Sequence, residues 1–355
     1  MNNKQRYLNI DILRIIACFF VVLAHTSSTA ALNADLSTLD GMLLHAFNTF
    51  GHAGTILFFY MSGMLLLSEN YQFSYKKFYS NNFLKLLIAY ISWIIIYHVV
   101  GILQRGDFSV AVLKDAVKNI IFGDACYHFW YIPMLLSIYL LLPFLRAICH
   151  SGKKTTYHFV SLFLIFQIIC PTIMFFDFPY KIYFASVTSR LPLTLVTHHV
   201  GYFVLGYALT SLLKEKNTSK FRACGTAFVI VAPLLGILGD YLLVLQNGYH
   251  NVTFNTIFSI SQFLCATGIF ILFYNLKITA KEKTQQIIVK ISKLTFGVYM
   301  LHPLFMDWLS DLIPFLSQKN ILPIILLTFM SFLSSLLVTW ILAFIPIFRK
   351  WILFS

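Results

Sequence analysis

Arg14 and His25 stand eleven positions apart in the run DILRIIACFFVVLAH. At about 100° per residue, that spacing returns them to within ~20° of one helix face, with about 16 Å between them along the axis. Cys18 falls on the same stripe, and Asp11, three residues before Arg14, is placed to pair with it. A histidine can take and return a proton near neutral pH, and an arginine can hold an anionic group in place. Ionisable side chains in a lipid-length apolar segment turn inward, so the stripe should face the interior of a helical bundle. The plainer alternative has Arg14 snorkelling to headgroups and His25 hydrogen-bonded at the interface.

Other groups fit the same chemistry. Ser62 and Gly63, at the end of an apolar run, suit either close helix packing or the wall of a ligand slot. His128 with Trp130 and Tyr131 opens another run, where aromatics form an interfacial belt or a surface for an acceptor. Tyr299 and His302, followed by Pro303, lie deep in a later run, from which His302 could face His25. The adjacent pair His198-His199 does not read as a metal site, because neighbours on a helix point about 100° apart and no carboxylate cluster accompanies them. No metal is expected.

These residues need a scaffold, and composition says which kind. Of 355 residues, 59% are apolar by the AVILMFWYC count and only 11% are charged. So few charges cannot coat a soluble surface, which excludes a soluble enzyme, a disordered chain and a disulfide-stapled domain. The six cysteines form no CxxC pair and read as small buried hydrophobes. The expectation is an all-α polytopic bundle of about ten transmembrane helices, a single membrane domain over residues 1–355. The spans fall near 8–28, 45–67, 83–103, 128–146, 158–176, 197–213, 223–245, 255–276, 294–315 and 321–347. The stretch 177–196, broken by Pro179 and Pro192, reads as a loop or re-entrant piece, and Pro303 and Pro314 as kinks of the ninth span. Asp11 and Arg14 at the head of the first apolar segment favour an uncleaved first span over a signal peptide.

Net charge is +13. With alternating spans and the N-terminus inside, nineteen Lys and Arg fall on the cytoplasmic side and six outside, so both termini are expected in the cytoplasm. The same distribution explains the basic balance without nucleic acid; the bilayer is the expected partner.

Five segments, in order and covering nearly the whole chain, carry a resemblance. They are the Arg14…His25 run, ILFFYMSGMLLL, HFWYIPMLLSIYLLLPFL, YFVLGYAL and SKLTFGVYMLHPLF. Together they resemble acyltransferase family 3, the multi-spanning membrane O-acyltransferases of bacteria. The family often carries an Arg-x-x-Arg motif entering the third span, where this chain has Asn82 and Lys85. Lys85 can meet a phosphate as a point charge but lacks the bidentate fork.

The resemblance implies transfer of an acyl group, usually acetyl, from cytoplasmic acyl-CoA to a hydroxyl of a cell-envelope glycan or glycolipid. The membrane would be the bacterial inner one, and acyl-CoA a co-substrate rather than a resident cofactor. His25 would be the general base, and Arg14 would position the donor or hold the histidine-bearing helix through a network. Lys85 would meet the donor's phosphates, and Ser62 or an N–H near Gly63 would stabilise the oxyanion. His128, Trp130, Tyr131, Tyr299 and His302 would line the acceptor side. The competing expectation is a secondary transporter or flippase in which Arg14, His25 and His302 form a substrate path.

Overall fold

The computed structural model describes residues 8–106, 126–191, 198–215, 218–248, 252–276 and 278–353, with isolated positions between 109 and 118. Lys4, Arg6, Lys216, Lys277, Pro192 and the start of the sixth expected span at Thr197 lie outside the described residues. The chain is all-helical, with no strand among the described residues. Among the described residues, ten helices carry the fold: α1 Leu8–Leu32, α2 Leu39–Leu66, α3 Leu84–Arg105, α4 Tyr131–His150, α5 Lys153–Phe163, α6 His199–Glu215, α7 Thr218–Asn247, α8 Ile260–Tyr274, α9 Glu282–Leu312 and α10 Ile321–Leu342. Among the described residues, nine helical stretches are long and apolar enough to cross a membrane. One of them joins α5, through a π-helical stretch, to the short helix Cys170–Met174. Helix α6 has 17 residues, about 26 Å, at the lower limit of a span. The expected ten segments thus appear as nine long spans and one short, largely buried helix.

The stretch read as a loop holds one short exposed helix, Lys181–Ser189. Helix α9 continues through Pro303, whereas Pro314 lies beyond its end and opens a short 3-10 turn. Pro314 therefore cannot kink the ninth span. It suits the first turn of a new helix, where no N–H is needed.

Local chemistry sets the helix ends. Thr38 caps α2, its hydroxyl accepting the Gly41 N–H at 3.1 Å, and Ser259 caps α8 by accepting the Gln262 N–H at 3.2 Å. At the far end of α2, Arg146 donates to the Leu66, Ser68 and Tyr71 carbonyls at 2.5, 3.2 and 3.1 Å, and His150 to that of Leu67 at 2.8 Å. These bonds satisfy carbonyls that a helix C-terminus leaves unpaired, and Arg146 complements the dipole.

Helices α1 and α2 form the centre and meet almost backbone to backbone. A Cβ at Gly51 would sit 2.5 Å from the Ala24 nitrogen, so only glycine fits there. Around this pair, α6 and α8 pack on α2, while α9 and α10 pack on α1. A buried polar seam ties this core together. His45 and Asp240, both fully buried, pair at 2.7 Å. Asp240 also accepts the Phe254 N–H at 3.0 Å, and Asn48, Thr49, Asn255 and Ser27 continue the network across α1, α2 and the turn before α8.

Candidate active site

Three histidines from distant parts of the chain converge. His25 comes from α1, His302 from α9, and His128 from a 3-10 turn, Tyr127–Trp130, that leads into α4. The rings of His25 and His302 stack at 5.2 Å with planes 25° apart. His128 meets His302 edge-on at 5.2 Å and His25 at 6.5 Å. His128 and His302 are buried, while His25 is partly accessible.

Tyrosines fix this cluster. The Tyr299 hydroxyl donates to the His128 carbonyl, tying α9 to the 3-10 turn. The Tyr97 hydroxyl donates to the Met300 carbonyl at 2.7 Å, and its ring lies 5.6 Å from His128. The Tyr127 ring stands edge-on to His25 at 5.0 Å. His302 Nδ1 bonds to the Tyr299 carbonyl at 2.7 Å, and its Nε2 has no hydrogen-bond partner among the described residues. A buried polar atom without a partner costs about 1–3 kcal/mol, an expense that folded proteins concentrate at functional sites.

Arg14 connects to the cluster through side chains. Its Nη1 lies 3.9 Å from Asp11 Oδ1 and 3.5 Å from Ser292 Oγ, and the Ser292 hydroxyl donates to Asp11 at 2.7 Å. The pairing read from the i,i+3 spacing is therefore present, with Ser292 of α9 as a third member. Arg14 and Ser62 are both electrostatic neighbours of the Tyr131 hydroxyl. Tyr131 packs on Tyr299 with ring centres 5.8 Å apart. Tyr131, Tyr299, His128, His302 and His25 thus form one continuous aromatic constellation, with Arg14 and Ser62 as polar neighbours on its Tyr131 side.

Two other expected site residues stand apart from it, and a third, Trp130, lies at its edge, its ring 6.2 Å from that of Tyr131. Lys85 lies over the Trp351 ring, 6.0 Å from its centre, near the C-terminal turn. Gly63 is pressed against the Phe203 carbonyl of α6, which makes it a helix-packing position. Trp130 turns to the neighbouring His199, 5.1 Å away, with Phe59 and Phe258 completing an aromatic cluster around that histidine.

The sequence reading missed several members. His52 of α2 is an electrostatic neighbour of His25 and follows Gly51, the residue in contact with Ala24. Its signal was its place next to a glycine in an apolar run. Tyr97 and Tyr127 had none beyond being aromatic near a membrane face. A separate cavity of about 370 Å³ lies between the ends of α2, α4 and α6 and the start of α5, lined in part by Ser68, His150, Lys153, Tyr207 and Lys214. It includes none of the clustered histidines. Among the described residues, no three of His, Cys, Asp and Glu are arranged to hold a metal ion.

A site of this kind can relay protons between groups held out of bulk water, with a cation nearby to hold an anionic or polarised substrate. That is the equipment of group transfer to a hydroxyl. Neither the curated proteins nor the solved structures offer a match to this chain. The family model described as an acyltransferase domain matches residues 7–343, from just before α1 to just past α10. The match takes in every residue of the constellation, and the chain belongs to acyltransferase family 3 as a multi-pass membrane acyltransferase.

Proposed function

We propose that the protein moves an acyl group, acetyl first among the candidates, from cytoplasmic acyl-CoA to a hydroxyl of a cell-envelope glycan or glycolipid. The observation that carries this reading is the convergence of His25, His128 and His302, joined through Tyr299 to Tyr131 on the side of Arg14 and Ser62. The 19-to-6 split of basic residues supports cytoplasmic termini and entry of the donor from that side. The bacterial cytoplasmic membrane is the matching location.

In this reading His25, the most accessible of the three histidines, is the base. It takes the proton of the acceptor hydroxyl as the oxygen attacks the thioester carbonyl. The C–O bond forms, the C–S bond breaks, and the departing thiolate receives the proton from His25. No proton is gained or lost overall. Arg14 holds the donor, and the Ser62 hydroxyl faces the oxyanion. Tyr131, Tyr299 and His128 bound the acceptor side, with Trp130 at its half-exposed edge. Lys85 meets the donor's phosphates only if the donor's head reaches the C-terminal turn.

The test is label transfer in lipid nanodiscs. Purified protein receives radiolabelled acetyl-CoA and an envelope-glycan extract, and both acceptor-bound label and free CoA are counted. Label on a glycan fraction that depends on His25 is the expected result. No acyl-CoA-dependent product from the folded wild type overturns the reading and favours a transporter or flippase.

A further inference from the structure

Helix α9 contains a proline in its interior, and the residue one turn earlier shows what that proline does. In an unbroken helix the N–H of residue 303 would bond to the carbonyl of residue 299. Pro303 has no N–H, so the Tyr299 carbonyl is left without its backbone donor. That carbonyl is the one taken by His302 Nδ1, at 2.7 Å. A carbonyl oxygen only accepts, so Nδ1 carries the hydrogen. In the neutral ring Nε2 is then a bare lone pair, and it is buried with no partner among the described residues.

We infer that Pro303 is a positioning residue of the site, fixing His302 as the Nδ1–H tautomer so that Nε2 stands as the hydrogen-bond acceptor of the histidine cluster. This rests on the acyl-transfer reading for its purpose but not for its geometry. When His25 takes the acceptor hydroxyl's proton it becomes cationic, and the ring stacked on it must stay neutral, which leaves Nε2 of the Nδ1–H tautomer to accept from the substrate. An Nε2–H tautomer would present a donor there instead. Tyr299 serves twice: its hydroxyl holds His128, and its carbonyl orients His302.

The test substitutes Pro303→Ala, which returns an N–H to the helix and so competes for the Tyr299 carbonyl without removing any side chain of the site. Full-length protein labelled with ¹⁵N-histidine is studied in nanodiscs by NMR, and the His302 resonances are assigned by their loss in His302→Gln. Wild type should show Nε2 unprotonated and Nδ1 protonated. Pro303→Ala should show a mixture of tautomers and lower kcat about tenfold or more with KM for the acyl donor little changed. Pro314→Ala, beyond the helix end, should change neither. An Nε2–H tautomer in wild type, an unchanged tautomer in Pro303→Ala, or an unchanged kcat in that variant overturns the inference. The spectra need no turnover, so absence of acetyl transfer by the wild type would defeat the proposed function and leave the tautomer assignment standing.

Discussion

The imidazoles of His25 and His302 lie stacked, 5.2 Å between ring centres, although one stands in the first helix and the other in the ninth. Rings this close act as a unit, so their contributions to catalysis should not add. His25→Ala and His302→Gln should each lower acyl transfer by about 10²–10³-fold, and the double variant should fall little further than the worse single. Initial rates of label transfer for the four proteins measure this. A double variant that multiplies the two losses would show that the rings work independently.

Arg14 joins Asp11 and Ser292 at long range, 3.9 and 3.5 Å, and its side chain is 30% exposed. Such a pair contributes at most about 1 kcal/mol to folding. Arg14→Ala should therefore leave thermal unfolding nearly unchanged while raising KM for acyl-CoA by about tenfold or more. A large drop in unfolding temperature with unchanged KM would make Arg14 structural.

The pair His45 and Asp240 makes the opposite prediction. Both side chains are fully buried, and Asp240 also receives the Phe254 N–H. Removing one partner strands a buried charge or polar group, at a cost of about 3–5 kcal/mol. Asp240→Ala should destabilise the protein by that amount, and the joint replacement His45→Leu with Asp240→Leu should recover part of it. Unfolding of the purified variants in mixed micelles reads both effects.

Ser62 and Gly63 are adjacent but should respond differently. A methyl group at Gly63 would run into the Phe203 carbonyl, so Gly63→Ala should cost about 1–3 kcal/mol and lower the folded yield. Ser62→Ala should fold normally and lower kcat. Size-exclusion profiles and transfer rates separate the two.

The sequence made the architecture legible because lipid leaves a helix few options: each backbone group must be satisfied within its own segment, and length follows from bilayer thickness. Hydropathy therefore located all ten helices, including the short α6. The Arg14–His25 stripe was legible because a helix fixes the angle between two positions on it. What spacing cannot encode is which helices become neighbours. The joining of His25 to His302, and of Tyr131 to Tyr299, depends on bundle order. His45 and Asp240 meet across α2 and α7, and neither has a local partner that would have marked it. Bundle order likewise sets Lys85 beside Trp351, a neighbour that its place at the entry to the third span does not announce.

The close approach of α1 and α2 at Ala24 and Gly51 also bears on how the enzyme meets its membrane. Two helices in main-chain contact cannot tilt separately when the bilayer thins or thickens; they lean as one body. His25 follows Ala24 directly and His52 follows Gly51, so the depth of one histidine relative to the other is set by peptide backbones rather than by lipid. Moved between membranes of different thickness, the protein should keep its chemistry in register while the outer helices absorb the mismatch.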